Sequence, residues 1–194
     1  MKIKLYATLG MGLLLMVACK DNKKAEEQTI ETEVEEVVNE TEEQTKTLTI
    51  TLNPKSDSNV SGTVTFTEKD GQVMMTANMT GLSEGTHAIH IHETADCSSP
   101  DGKSTGGHWN PTAEPHGKWG DEGGYHKGDI GNFEVGPDGI GTISMTTDKW
   151  CLSCDDATKN IMGKAIIVHQ GADDFTSQPS GAAGARISCA GIIE

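Results

Sequence analysis

Positive charge is scarce in this chain: 15 Lys and Arg stand against 29 Asp and Glu, for a formal net charge of −14. The basic residues are scattered and form no stripe, which excludes a nucleic-acid footprint and with it nucleic acid as a partner. No long membrane-spanning run is present; the apolar stretch from Leu5 to Ala18 falls short of the roughly 20 residues a helix needs to cross a bilayer. No histidine precedes His87, so imidazole chemistry is confined to the later part of the chain. The pair Cys151 and Cys154 has no second free CxxC to complete a zinc knuckle.

The basic start (Lys2, Lys4) and short apolar run read as a secretory signal over residues 1–18. Met16-Val17-Ala18-Cys19 resembles a bacterial lipobox, which implies cleavage before Cys19 and acylation of its thiol. Acyl chains contribute about 0.8 kcal/mol per buried CH₂, so more than one chain gives a stable membrane tether. Residues 19–44 are then an acidic stalk: nine glutamates from Glu26 to Glu43 repel one another and few apolar side chains oppose them. The expected localisation is the cell envelope, on the periplasmic or surface face of a bacterial membrane.

From Thr45 the pattern changes. Thr47 to Leu52 alternates polar and apolar residues, and Val60 to Thr67 does much the same, as strands with one wet face do. Further strands are expected at Gln72–Met79, Thr86–His92, Asp129–Val135, Ile140–Thr146, Lys164–His169 and Arg186–Ile193. Lys69-Asp70-Gly71 and Pro137-Asp138-Gly139 supply turn residues for two hairpins. Residues 45–194 are therefore expected to form one all-β domain, an eight-stranded antiparallel sandwich or barrel.

Between His92 and Asp129 runs a long stretch rich in Gly, Pro and His without strand periodicity; inside compact domains such loops are usually functional. His90 and His92 are two apart on a predicted strand, so both rings leave the same face. His108, His116 and His126 with Asp129 add three imidazoles and a hard carboxylate, a mixture suited to tetrahedral zinc. His169 ends the apolar strand Ala165–Val168.

The strings HAIHIHE, GGHWNP, PHGKW, YHKGDIGN, IIVHQGADD and GAAGARISCAG resemble the successive signatures of the copper/zinc superoxide dismutase family, and the likeness extends over Thr45 to Glu194. It implies a Greek-key fold with long metal-binding and channel loops. It also implies one copper on His90, His92, His108 and His169, and one zinc on His108, His116, His126 and Asp129. In that arrangement His108 bridges the two metals, because an imidazole offers two nitrogens. His87 falls at a position that packs beside the copper strand without binding metal. Asp173 falls at the carboxylate linking a copper-side ring to a zinc-side ring, a kind of partner that strongly affects metal affinity.

The activity implied is dismutation of superoxide to dioxygen and hydrogen peroxide, with a proton supplied from the His108 nitrogen. Arg186 matches the guanidinium beside copper and Ser180 the narrowing of the channel. In an acidic protein a small anion must be drawn by such a local positive site rather than by net charge. Gln170 and Gly171 stand where many relatives carry charged residues, which leaves more of the attraction to Arg186. Cys97 and Cys189 match the family disulfide, worth about 2–4 kcal/mol; Cys151 and Cys154 lie outside that pattern and are expected to form a local disulfide. Monomer and homodimer both remain open. The rival to the enzyme is a non-catalytic copper carrier on the same fold, which would need neither the bridging His108, nor a full zinc set, nor Arg186.

Overall fold

The computed structural model describes residues 45–194; the signal segment, the Cys19 acylation site and the acidic stalk lie outside the described residues. Eight strands follow in order: β1 (Lys46–Pro54), β2 (Ser61–Lys69), β3 (Gln72–Thr80), β4 (Gly85–His92), β5 (Gly131–Val135), β6 (Gly141–Thr147), β7 (Ala165–His169) and β8 (Arg186–Gly191). The described residues contain no α-helix, only a 3₁₀ turn at Lys103–Thr105.

All ladders are antiparallel, and the spatial order is β5-β4-β7-β8-β1-β2-β3-β6. β1, β2, β3 and β6 pair along most of their length, as do β5, β4, β7 and β8. The two halves meet where Asn53 and Pro54 pair with Cys189 and Ser188. The result is an all-β, nearly closed barrel with Greek-key crossings.

Period-two geometry explains how the site arises. In β1 and β2, Ile50, Leu52, Val64 and Phe66 point inward while the intervening threonines face outward. Each such large apolar side chain contributes about 1.5–3 kcal/mol by burial. β4 is instead buried on both faces. Ile89 and Ile91 join Ile166 and Val168 in the main core, and the alternate residues His90 and His92 leave by the opposite face. On that outer face Ala165, Ile167 and Cys189 form a second small apolar cluster with Cys97. The long loops cover it, which is why a strand carrying three histidines is almost wholly buried.

Lys69-Asp70-Gly71 makes the expected hairpin: Lys69 pairs with Gln72, and Asp70 and Gly71 both have positive φ, 53° and 72°. Pro137-Asp138-Gly139 does not. It turns the chain, with Gly139 at φ 69°, but β5 and β6 lie at opposite ends of the strand order. Turn residues dictate local reversal, whereas partner choice is decided by which apolar face each strand must bury. Asp129, expected inside a strand, sits two residues before β5 begins, in a turn closed by its own N–H to the His126 carbonyl at 3.0 Å.

Candidate metal centre

Six of the seven histidines converge on one place. His90, His92, His108 and His169 each offer an atom such that all four atoms lie within 4.8 Å of one another; His108, His116, His126 and Asp129 do the same, and all seven residues are buried. The two groups share His108. Its ring lies 4.0 Å from that of His90 and 5.0 Å from that of His92, centre to centre, on one side, and 5.3 Å and 5.7 Å from those of His116 and His126 on the other.

Backbone pairing places these rings. His90 and His92 stand on β4 opposite Ile167 and Ala165 of β7, and His169 follows at the end of β7 through an irregularity at Val168/His169. The loop carrying His108 is stitched to β4 by a His92–His108 bridge and by Trp109 N–H to Ile91 O at 2.8 Å. Ile91 N–H then donates to Gly128 O at 2.9 Å, which brings in the turn that holds His126 and Asp129.

Hydrogen bonds choose which nitrogen of each ring faces inward. His92 Nδ1 donates to Gly106 O at 3.0 Å and His169 Nδ1 to Gly184 O at 3.4 Å, leaving both Nε2 atoms as acceptors. Asp173 accepts from His90 Nε2 through one oxygen and from His116 Nε2 through the other, each at 2.9 Å, leaving both Nδ1 atoms. Six buried nitrogens then have no hydrogen-bond partner: His90 Nδ1, His92 Nε2, His108 Nε2, His116 Nδ1, His126 Nδ1 and His169 Nε2. Leaving even one buried polar atom unsatisfied costs about 1–3 kcal/mol, so six aimed at two points is a demand for electrophiles.

The residues fit metal ions. Four imidazole nitrogens suit copper, and three imidazoles with a carboxylate suit zinc. Around Asp129 the Nδ1 atoms of His108, His116 and His126 stand 2.8, 3.0 and 3.2 Å from a carboxylate oxygen. His108 and His126 face Oδ1 and His116 faces Oδ2, so all three rings gather around the one carboxylate, close enough for a single ion to reach all four residues.

Electrostatics agree. Burial holds His90, His92 and His169 below the usual histidine range and takes His108 down to about 4; neutral rings keep their lone pairs for a metal. Burial acts against ionised Asp129, but hydrogen bonds from the His108 ring and the His126 backbone N–H outweigh it and keep the carboxyl well below the usual range. Burial also opposes charging of His116, yet Asp173 and Asp129 together raise it.

The seventh histidine, His87, is buried outside both groups; its Nδ1 donates to His169 O at 2.9 Å and its Nε2 lies 3.1 Å from the Ser83 hydroxyl. A cavity of about 720 Å³ opens onto His92, His108 and His169 and is lined by Arg186 and Ser180. Arg186, the chain's only arginine, donates from Nη1 to Gly102 O and to Thr105 Oγ1, both at 3.0 Å. Cys97 is bonded to Cys189 and Cys151 to Cys154.

Some participants carry no sequence signal of their own. Lys103, Asp101 and Glu93 also line the cavity, with Lys103 Nζ 2.9 Å from Asp101 Oδ2. Asn132 fixes Asp173 by accepting from its N–H and donating to its carbonyl, both at 2.8 Å. The Gln178 amide clamps the backbone of His116 from both sides, at 2.9 and 2.8 Å.

Comparison with known proteins agrees with this architecture. Residues 60–192 match the family model described as copper/zinc superoxide dismutase. A solved double mutant of a SOD-like protein from Bacillus subtilis is 33% identical, with a TM-score of 0.67, over 75% of this chain and 97% of that one. The clock protein EA4 is 32% identical, with a TM-score of 0.65, over 75% of this chain and 94% of that one. With a match over more than half its length and every strand of the described barrel in place, the chain belongs to the copper/zinc superoxide dismutase family.

Proposed function

We propose that this protein dismutes superoxide, converting two superoxide anions and two protons to dioxygen and hydrogen peroxide, with copper on His90, His92, His108 and His169 and zinc on His108, His116, His126 and Asp129. The observation that carries the reading is His108, whose Nε2 is unpartnered and belongs with the His90 group while its Nδ1 lies 2.8 Å from Asp129 Oδ1. Bound copper supplies the alternating one-electron oxidation and reduction of superoxide. His108 can hold a proton at Nε2, inside the wall of the cavity and out of bulk water, and release it towards the reduced oxygen species. Asp129 beside Nδ1 keeps the ring aimed while that proton is gained and lost. Arg186 places a fixed positive charge on the same wall, where low-dielectric surroundings focus its field on a small anion. Ser180 narrows the entrance.

The test combines metal analysis with dismutation kinetics on the purified protein, His108→Ala and Arg186→Ala. One copper and one zinc per chain, rapid turnover in the parent and large losses in both variants support the enzyme. Metal uptake without dismutation sinks it and leaves the copper carrier.

The same reading places the activity at the cell envelope, tethered through an acylated Cys19. The two disulfides support an oxidising compartment. Labelling cells with a radioactive fatty acid tests the anchor: the label is expected in the parent and absent from Cys19→Ser, and an unlabelled parent rules the tether out.

A further inference from the structure

The segment between β6 and β7 carries a second disulfide, Cys151–Cys154, which the metal site as described does not use. Its neighbour Trp150 is 1% exposed. The Trp150 indole N–H donates to Lys127 O at 2.8 Å, and Lys127 is the residue directly after the zinc-side His126. The Trp150 ring packs edge-on against Trp119 at 5.4 Å, and Trp119 in turn lies 5.0 Å from Tyr125, the residue directly before His126. One side chain therefore touches, directly or through a single ring, both flanks of His126.

Trp150 is itself held from its C-terminal side. Cys151 N–H donates to Lys159 O at 2.9 Å and Ile161 N–H to Cys151 O at 3.1 Å. Asn160 closes the loop by donating to Cys154 O at 2.9 Å. Leu152 is buried, and its N–H and carbonyl are bound by Glu68 and Lys46 at 3.2 and 3.0 Å. Between these anchors Ser153 adopts φ 63°, a left-handed conformation uncommon for a residue with a side chain. The covalent ring of four residues closes around that turn and acts together with these hydrogen bonds. A ring so short removes little chain entropy on closure, so its effect lies in local shape.

We infer that Trp150, set by the Cys151–Cys154 ring, is a positioning residue for the zinc-side turn His126–Asp129, acting through its hydrogen bond to the Lys127 carbonyl. This rests on the zinc assignment above. The turn carries two of the four zinc-side residues on four consecutive positions, and its Asp129 end is tethered separately, by Gly128 bound to Ile91 and Trp109 and by Gly117 N–H and His108 Nδ1 on the Asp129 carboxylate. Releasing the Lys127 carbonyl frees the His126 half while Gly128 still holds the Asp129 half, so ligand spacing opens on one side only. The rings of His90, His92 and His169 hang from β4 and β7 and feel this only through His108 and Asp173, which both groups share.

The experiment measures release of zinc and of copper to a competing chelator from the metal-loaded full chain, with cobalt(II) in the zinc position as a spectroscopic reporter of tetrahedral geometry. The variants are Trp150→Phe, which keeps the ring and loses the N–H, the pair Cys151→Ser/Cys154→Ser, and all three together. Expected is zinc release about tenfold faster in each, the lower end of what outer hydrogen-bond partners contribute. The triple variant is no faster than the faster of the other two, copper release changes much less than zinc release, and the cobalt bands are altered. Zinc release equal to the parent's in Trp150→Phe overturns the inference, and that variant decides alone if the serine pair fails to fold. Faster release in Trp150→Phe with parental release in the serine pair removes the disulfide from the account. A parent that takes up no zinc overturns the zinc assignment itself, an outcome distinct from equal release rates.

Discussion

Arg186 Nη1 donates to Thr105 Oγ1 at 3.0 Å, and that hydroxyl in turn donates to Gly102 O at 2.8 Å. The guanidinium is thus fixed on the cavity wall by the loop that precedes His108, so its charge sits at one point instead of sweeping the entrance. Electrostatic focusing of this kind raises association rates by about 10–10³-fold. Arg186→Ala is expected to lower kcat/KM at least about tenfold and to flatten its dependence on ionic strength, with Arg186→Lys keeping part of both. Stopped-flow rates across a salt series check this; an unchanged salt slope would remove Arg186 from the attraction of substrate.

Asp173 sets two rings at once, one through each oxygen, so Asp173→Ala removes the acceptor of both. Metal affinity on both sides is expected to fall by about 10–100-fold, the range for outer partners of ligating histidines. Competitive titration with a chelator measures it. Loss on one side alone would mean that the other ring is oriented by its backbone.

Cys97 and Cys189 are 92 positions apart. A disulfide contributes about 2–4 kcal/mol, more for longer loops. Cys97→Ser/Cys189→Ser is expected to lower Tm by roughly 10 °C, at about 2–4 °C per kcal/mol for a domain of this size. A calorimetric shift of only a degree or two would show that the buried outer cluster, and not the covalent bond, holds the loop.

Gly181 has φ 66°, and a Cβ there would collide with Asp173 Oδ1 and stand 2.7 Å from His116 Nε2. Gly181→Ala is expected to cost about 1–2 kcal/mol from the backbone alone and to push Asp173 off its rings, so zinc retention after dialysis falls. Full retention would show that the loop carrying residue 181 can move aside.

Strand positions were legible because each of the eight has its own alternation or apolar run, and the two candidate metal groups because six histidines and Asp129 fall in strings that resemble the family's. What could not be read locally was partnership. Gln178 clamps His116 from 62 positions away and Asn132 fixes Asp173 from 41; an amide in a polar loop announces nothing until the fold supplies its partner. The Pro137-Asp138-Gly139 turn misled for the same reason, since a chain reversal looks identical whether the strands pair or part to opposite edges. Nothing in the sequence sets Lys103 apart from the other lysines, and only the path of the 3₁₀ turn brings it to the cavity.

Asp173 binding His90 through one oxygen and His116 through the other, together with His108 shared by both groups, makes the two halves of the centre thermodynamically reciprocal. If filling one half raises the affinity of the other by some factor, filling the second first raises the first by that same factor. A particular order of loading therefore gains no equilibrium advantage. Which half fills first is then set by the intrinsic affinity of each half and by the supply of each ion, while the coupling between them is the same by either route.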